Sequence, residues 1–204
     1  MYMTLGGLKK AWRACERCKL CATRRKVVFA CGPGDANIMI IGHAPSEDDD
    51  KKGAPFQGSN GGMLEWVCKQ AGLNPESLFM TNLLMCFPPE NRDPAKAEIL
   101  ECQPRLLDQI RLVDPYLIIA SGRVAAQTLT KQRTMSVMKR RGEIVDCEFD
   151  GPFGPYTVPV LITIHPAMLL RNPDMDGGIL SATVEDFRMA KRISERLTKA
   201  WEIK

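Results

Sequence analysis

Short apolar runs along the chain alternate with segments in which apolar residues recur every three or four positions. The runs predict buried strands, and the three-to-four spacing predicts helices that pack on them. Strands that alternate with helices are typical of an α/β domain, so we predict three layers, α/β/α, around a central, mainly parallel four-stranded sheet. The predicted strands cover residues 38–42, 78–86, 116–121 and 159–164. The main predicted helices cover residues 5–23, 61–71, 94–113, 122–129 and 181–201.

Three segments have weaker or interrupted patterns. Residues 27–30 are compatible with a short strand, and residues 131–157, which are polar, basic and punctuated by Gly and Pro, predict a hairpin with irregular loops. Pro104 lies inside the helical pattern of residues 94–113. Because proline removes a backbone donor and clashes with the preceding turn, we expect a kink or a break between two helices near Cys102.

The length of 204 residues predicts a single domain that spans residues 1–204. No apolar run approaches the ~18–20 residues of a membrane span. The N-terminus lacks the long apolar core of a signal peptide. We therefore expect a cytoplasmic protein that has no membrane partner and acts as a monomer.

Charge is distributed unevenly, although the net charge is only +4. Basic residues cluster at 24–26 and at 139–141, whereas residues 48–50 are three consecutive aspartates. Basic clusters beside an acidic loop suit a polyanion that is held by its backbone while carboxylates act at one point. Taken singly, each of these clusters can also be explained as an ordinary solvent-exposed surface with no partner.

Eight cysteines in an expected cytosolic chain do not predict disulfides, because cytosolic thiols stay reduced. Three of them form the pattern C-x-x-C-x-x-C at Cys15, Cys18 and Cys21. This spacing predicts metal or iron–sulfur ligation. It fits a tetrahedral zinc ion as well as a four-iron cluster, since both take four thiolates. Cys68 and Cys147 are instead expected to be small buried hydrophobic residues.

Polar residues follow several predicted strands, at the edge where ligands bind in open α/β sheets. They are the acid-rich loop 42–58, Asn82, the turn at Gly122, and His165. The chain holds only two histidines, His43 and His165, and both follow strands. Two histidines at equivalent positions favour a site over an isolated structural residue.

The chain lacks the phosphate loop, the dinucleotide fingerprint and the nucleophile elbow that mark several enzyme classes. The remaining groups suit a planar heterocycle, because Phe56 can stack on it, Asn82 can pair with its edge and a histidine can donate to its carbonyl oxygen. An acidic group can then orient water or stabilise a cationic sugar transition state. The segment Leu169, Leu170 and Arg171 is suited to enter a nucleic-acid duplex where a base has left the stack.

Six motifs occur in order over nearly the whole chain. They are C-x-x-C-x-L, G-x-A-P-x-x-x-x-D-x-x-G-x-P-F-x-G, T-N-x-x-x-C-x-P-P-x-N-R, E-x-x-x-C, R-G and H-P-A-x-L-L-R-N-P. A chain with these motifs resembles the family 4 uracil-DNA glycosylases, the iron–sulfur branch of that superfamily. The resemblance implies the fold of that superfamily and DNA as the partner. It also implies a monofunctional reaction in which a flipped pyrimidine, uracil by default, is hydrolysed from its sugar to leave an abasic site.

The resemblance also implies a [4Fe–4S] cluster, whose ligands would be Cys15, Cys18, Cys86 and Cys102. Cys21 and Cys31 fall at positions where the family does not require cysteine. The cluster is expected to be structural, because hydrolysis of an N-glycosidic bond is not a redox reaction.

Site roles follow from the same resemblance. Phe56 would stack on the flipped base and Asn82 would read its polar edge, with Gly42 and Ala44 beside it. His165 would stabilise the negative charge that develops on the departing base. The implied DNA-contacting residues are Asn91, Arg92, Leu169, Leu170 and Arg171.

This chain departs from the family at the end of its first strand, where His43 replaces a typical Glu and Ser46 replaces a Gly. Loss of that carboxylate would lower activity on uracil unless Glu47 or Asp49 compensates, so both join His43 and His165 as candidate catalytic residues. Two alternatives stay open. One is a glycosylase for a modified pyrimidine, for instance in defence against phages with altered DNA, and the other is a catalytically weak DNA-binding protein.

Overall fold

Four strands of the central sheet run parallel, and a fifth pairs antiparallel at one edge. The computed structural model describes residues 2–152, 154–171 and 178–202, the last three by their backbone alone. The strands are β1 (Ile38–Gly42), β2 (Phe79–Asn82), β3 (Leu117–Ser121), β4 (Ile144–Phe149) and β5 (Tyr156–Thr163). Their order across the sheet is β2-β1-β3-β5-β4. The carboxyl ends of β1, β2, β3 and β5 therefore meet at one edge.

The mainly parallel α/β architecture is confirmed, but the prediction of four strands is wrong because the described residues form a sheet of five. The additional strand is β4, which lies within the segment expected to form a hairpin with irregular loops. Only Cys147 and Phe149 of β4 are buried, while its other positions are exposed or half-exposed. An edge strand with polar Asp146 and Glu148 on its open face has too few apolar residues to stand out in the sequence.

Helices cover both faces of the sheet, as the alternation of strands and helices predicts. The helices are α1 (Leu5–Trp12), α2 (Glu47–Lys52), α3 (Gly58–Gln70), α4 (Lys96–Val113), α5 (Arg123–Leu129), α6 (Val137–Arg140), α7 (Pro166–Arg171) and α8 (Ile179–Glu202). Met39 and Ile41 of β1 belong to the core beneath α4 and α5. Ile38 and Ile40 belong to the core beneath α3, α7 and α8. This alternation is the period-two pattern of a strand buried on both faces. None of the described helices is both long enough and apolar enough to cross a membrane.

Helix α4 continues through Pro104, so of the two expectations, a kink or a break near Cys102, the break into two helices is wrong. A proline at this position removes the hydrogen bond to the carbonyl of Leu100. Leu100 lies on the exposed face of the helix, at 53% exposure, so that carbonyl remains on the solvent side. The opposite face buries Leu106 and Ile110 in the core, which stabilises one continuous helix.

The N-terminal part of the chain is less regular than predicted. Helix α1 ends at Trp12 rather than near residue 23, and a single 3-10 turn at Lys19–Ala22 follows the first two cysteines. Residues 27–30 run extended beside the segment after β2 without forming a strand, and β2 ends at Asn82 rather than at Cys86. Asn172 and Pro173 of the last motif lie outside the described residues.

Candidate active site

A cleft of about 830 Å³ opens at the edge where the parallel strands end. The residue that follows β1, the last residue of β2 and the turns after β3 and β5 each contribute to its lining. These residues are His43, Asn82, Gly122 and His165. The sheet therefore brings together the strand-end residues that the sequence singled out.

The two histidines face one another across the cleft. Their ring centroids are 5.1 Å apart, and the rings meet edge to face at 70°. Gly122 makes room for this arrangement, because a Cβ there would lie 2.8 Å from Cβ of His165. Gly122 also has a φ of +91°, which favours glycine.

His165 is held as a neutral imidazole with a defined tautomer. Burial, together with His43 and Arg171, lowers the pKa of His165 to about 3. Nδ1 of His165 accepts a hydrogen bond of 3.1 Å from the backbone N–H of Ala167. An Nδ1 that accepts leaves the proton on Nε2. The ring thus has a donor available for a ligand in the cleft while carrying no charge.

His43 is partly buried and also favours the neutral form. Burial lowers the pKa of His43, and the positive charges of Arg123 and Arg171 act in the same direction. Asp93 acts in the opposite direction but does not outweigh burial. A neutral imidazole offers one donor and one acceptor, so His43 can bond both to water and to a ligand.

Phe56, Asn82 and Gly42 converge on one wall of the cleft. Phe56 has a left-handed backbone, with φ +53°, which turns its ring toward His165, where the two rings lie 6.2 Å apart and 26° from parallel. A Cβ on Gly42 would collide with Oδ1 of Asn82 and would lie 3.0 Å from the Phe56 ring. Glycine at position 42 is therefore what allows the amide and the aromatic ring to approach each other.

Of the two acidic candidates, Asp49 is buried and serves the local fold. Its carboxylate accepts hydrogen bonds from the backbone N–H of Ser46 at 2.9 Å and of Gln57 at 2.6 Å. Burial raises the pKa of Asp49, and these backbone donors act against that increase. Ser46 in turn caps α2 by accepting from the N–H of Asp49. Asp49 thereby fixes the loop that carries Ala44 and Phe56, both of which line the cleft.

Glu47 lies at the outer border of the cleft, where its carboxylate is exposed. It pairs with Lys51 at 2.8 Å and lies 3.8 Å from Arg25. The hydrogen bond and the charge of Lys51 lower the pKa of Glu47. The carboxylate is thus ionised but directed to its own helix rather than to the histidines.

The predicted DNA-contacting residues lie around the mouth of the cleft, with one exception. Asn91, Arg92, Leu170 and Arg171 are exposed and line the cleft, whereas Leu169 is buried in the core with 7% exposure. The apolar side chain of α7 that is available to a bound molecule is therefore Leu170. Asn91 has a left-handed backbone at φ +53°, within the short turn Pro89–Asn91.

Some lining residues of the cleft were not predicted from the sequence. Asp93 and Arg123 form an ion pair that joins the loop after β2 to the start of α5. Met138 of α6 is 40% exposed and forms part of the lining. No local pattern identifies these residues, because they lie in polar or irregular segments and meet the site only through the tertiary fold.

The four predicted ligand cysteines lie in a second region, near the start of α4 and beside α1. Cys86 and Cys102 are buried there, with Cys15 and Cys18 packed against them. Cys18 and Cys86 each lie close enough to Cys102 for its charge to act on their pKa values. Arg24 donates from Nη1 to Sγ of Cys86 at 3.5 Å.

No group of three or more His, Cys, Asp or Glu side chains within the described ranges is arranged to hold one metal ion. A single zinc ion requires its four thiolates at about 2.3 Å from one point. A cluster instead takes each thiolate on a separate iron, so its ligands stand farther apart. The donor set of four gathered thiols with an arginine beside them fits such an anionic group.

The remaining cysteines lie elsewhere. Cys68 and Cys147 are buried in the two cores, as predicted. Cys31 exchanges backbone hydrogen bonds with Met80, and burial raises the pKa of its thiol. Cys21 lies in the 3-10 turn and acts through its charge on Arg24.

Comparisons with known proteins agree with this geometry. The family profile of the uracil DNA glycosylase superfamily matches residues 29–190. A type-4 uracil-DNA glycosylase of Saccharolobus solfataricus is 40% identical over 183 residues, which are 88% of this chain and 81% of that protein. Similar proteins of the same name occur in Pyrobaculum aerophilum, at 34% identity over 86% of this chain and 89% of the relative, and in Thermotoga maritima, at 33% identity over 88% of each.

Proposed function

This chain belongs to the uracil-DNA glycosylase superfamily, in its type-4 branch, and on that premise we propose that it hydrolyses the N-glycosidic bond of uracil in DNA and leaves an abasic site. The observation that carries the proposal is the neutral His165, whose Nε2 proton is available in a cleft walled by Phe56 and Asn82. Membership in this branch favours uracil over a modified pyrimidine and an enzyme over a DNA-binding protein.

Uracil is recognised by stacking and by pairing with its polar edge. The ring of Phe56 gives the base an aromatic surface to stack on. The amide of Asn82 carries both a donor and an acceptor, which complement a carbonyl oxygen and the neighbouring ring N–H of uracil. Within the described residues this side chain makes no hydrogen bond of its own, so its amide is available to a bound base. Ala44 lines the same cleft, and Gly42 leaves the space into which the Asn82 amide fits.

His165 stabilises the leaving group. When the bond between the base nitrogen and the sugar carbon breaks, the bonding electrons remain on the base, which departs as an anion. The Nε2–H of His165 donates to a carbonyl oxygen of that anion, where part of the charge collects. The ring is already oriented by its bond to Ala167, so little reorganisation is needed during the reaction.

A water molecule completes the hydrolysis by adding to the sugar carbon, and the proton that it loses balances the charge of the departed uracil anion. We assign the orientation of this water to His43, whose neutral imidazole accepts a hydrogen bond. Asp49 supports it by fixing the loop, while Glu47 is committed to Lys51 at the border. His43→Ala is then expected to lower kcat by about 10²-fold, whereas Glu47→Gln leaves kcat near the wild-type value. Equal effects of the two substitutions would contradict the assignment.

DNA is held at the mouth of the cleft. Arg171 supplies positive charge for phosphates, while Asn91 and Arg92, whose guanidinium is paired with Glu98, supply polar contacts. The exposed Leu170 enters the space that the flipped nucleotide leaves in the duplex. We expect one chain to act alone in the cytoplasm, because a single chain already supplies the stacking ring, the base-reading amide and both histidines of the cleft, and because free thiols persist in a reducing compartment.

The second region binds a [4Fe–4S] cluster in this proposal, through Cys15, Cys18, Cys86 and Cys102. The cluster supplies no step of the hydrolysis. It joins α1 to the loop between Cys86 and Cys102, which carries Asn91 and Arg92. The four gathered thiols and the donor Arg24 support this assignment.

The test is incubation of the purified protein with a labelled duplex that contains one uracil, followed by alkaline cleavage at abasic sites. We expect cleavage at the uracil and none in the same duplex with thymine. Parallel duplexes with modified pyrimidines show whether uracil is preferred. Absence of cleavage at uracil under single-turnover conditions, with an intact brown protein, would overturn the proposal.

A further inference from the structure

A fully buried arginine connects the cysteine region to the base-reading end of β2. Arg105 has no exposed surface, and no carboxylate bonds to its guanidinium group among the described residues. Its Nε makes no hydrogen bond within that part of the chain. A buried, unpaired cation is expensive, so its retention requires a source of compensating negative charge.

The neighbouring cysteines become that source once they lose their protons to bind a cluster. Arg105 follows Cys102 by three residues on α4, which places both on the same face of the helix. Burial lowers the pKa of Arg105, while Cys102, Cys86 and Cys15 act in the opposite direction. All three belong to the proposed ligand set, and four thiolates carrying a [4Fe–4S] cluster bear a net negative charge.

The other side of the guanidinium holds the end of β2. Nη2 donates to the carbonyl oxygens of Asn82 at 2.9 Å and of Leu83 at 2.8 Å. Nη1 donates to Oγ1 of Thr81 at 3.1 Å and to Oε1 of Gln109 at 2.6 Å. Three consecutive residues of the strand end are therefore attached to one side chain. The middle one, Asn82, contributes its amide to the cleft.

We propose that Arg105 is a positioning residue that holds Asn82 in its base-reading position, and that its charge is balanced by the cysteine-bound cluster. The inference rests on the proposed function, because it assigns the role of Asn82 in uracil recognition to a residue that does not touch the base. It also gives the cluster a specific effect on the cleft. Loss of the cluster removes the negative charge that Arg105 faces, and the strand end loses its fixed attachment.

The experiment compares substitutions at two arginines near the same thiols. Arg24 bonds to Sγ of Cys86 but not to the strand end, so it is the matched control. For each purified, iron-loaded variant, the midpoint potential of the cluster and the kcat and KM for a uracil-containing duplex are measured. The potential requires no activity. It therefore remains informative if uracil proves not to be the substrate, whereas failure of the proposed function appears as an inactive wild-type protein.

Removal of positive charge beside an anionic cluster makes reduction harder. We expect Arg105→Met and Arg24→Met both to shift the midpoint potential to more negative values. We expect Arg105→Met to lower kcat/KM by at least about tenfold relative to Arg24→Met, because small displacements of a binding group have effects of that size or larger. An unchanged potential in Arg105→Met, or an equal loss of kcat/KM in Arg24→Met, would overturn the proposal.

A third variant covers the possibility that Arg105→Met fails to fold. Arg105→Lys keeps the positive charge, but a single ammonium group cannot bond to all four oxygens in the fork geometry of arginine. We expect its potential to remain near the wild-type value while kcat/KM falls. A lysine variant with wild-type kcat/KM would show that the position of Asn82 does not depend on the guanidinium.

Discussion

The cleft and the cysteine region lie on either side of the end of β2, and they are held by different physical means. In the cleft, the side chains are fixed by close approach. Gly42 and Gly122 bring Asn82 and His165 nearer to their neighbours than any larger residue would allow, and Phe56 is held with a left-handed backbone. In the cysteine region, positively charged arginines lie beside the thiols. Arg24 bonds to Cys86, and Arg105 interacts electrostatically with Cys102 and its neighbours.

The two regions also differ in the charge state that their function requires, which is neutral histidines in the cleft and deprotonated cysteines in the cysteine region. Both histidines of the cleft favour their neutral form, so His165 stabilises an anionic leaving group through a hydrogen bond rather than through a positive charge. Burial raises the pKa of Cys86 to about 11, although Arg24 acts against that increase. Thiolates are therefore costly in this region unless metal replaces the protons. The comparison predicts that substitutions in the cleft change rate, whereas substitutions among the cysteines change stability first.

The largest effect is expected for His165→Asn, which removes the Nε2 donor but retains a polar, though smaller, side chain. We expect kcat to fall by about 10²–10³-fold, the usual effect of losing one donor to a developing anion, while the unfolding midpoint in urea changes little. Single-turnover rates on a uracil duplex and urea titrations provide both values. A loss of stability without a loss of rate would contradict the prediction that substitutions in the cleft act on the rate.

Cys102→Ala tests the other region. Removal of a ligand uncouples cluster binding from folding, and we expect a decrease of about 2–3 kcal/mol in the free energy of unfolding together with loss of visible absorbance. Cys147→Ala is the control, because Cys147 is buried in the core away from the other thiols. It should cost only about 1 kcal/mol and leave the absorbance unchanged. Equal losses in both variants would argue against ligation by Cys102.

Gly42→Ala tests positioning by close approach. The new methyl group would displace the Asn82 amide, and we expect kcat/KM to fall by about 10–100-fold with a smaller change in stability. Gly62→Ala is the control, because a Cβ there meets nothing within 4 Å. In helix α3 that substitution should stabilise the protein by up to about 1 kcal/mol. Unchanged kinetics in Gly42→Ala would show that the amide has room to move.

The smallest effect concerns pH. Because the folded-state pKa of His165 is about 3, below the ordinary value of about 6.5, the unfolded chain takes up a proton between these values and the native protein does not. His165 therefore makes the free energy of unfolding fall as pH decreases below about 6.5, by about 1.4 kcal/mol per pH unit. Urea unfolding at pH 7, 6 and 5 should show a shallower decrease for His165→Asn. Parallel pH profiles would contradict a buried neutral imidazole.

The sequence is sufficient to predict that the polar residues Asn82 and His165 share one edge of the sheet, although it places the end of β2 four residues too late. That inference needs only the order of apolar runs. It cannot predict Arg105, because a charged residue on the buried face of α4 contradicts the hydrophobic pattern on which helix orientation is based. Leu169 shows the converse. Two consecutive leucines look equivalent in the sequence, but only the turn of α7 decides that Leu169 is buried and Leu170 exposed.

The left-handed backbone of Phe56 limits how this protein can evolve toward other bases. A side chain at φ +53° is disfavoured by about 1–2 kcal/mol for most residues, and β-branched residues tolerate it least. Gly61 adds a second restriction, because a Cβ at that position would collide with the carbonyl of Phe56. Selection for a new substrate therefore has few routes through Phe56. It has more through His43, which borders the same cleft and is not among the residues with positive φ.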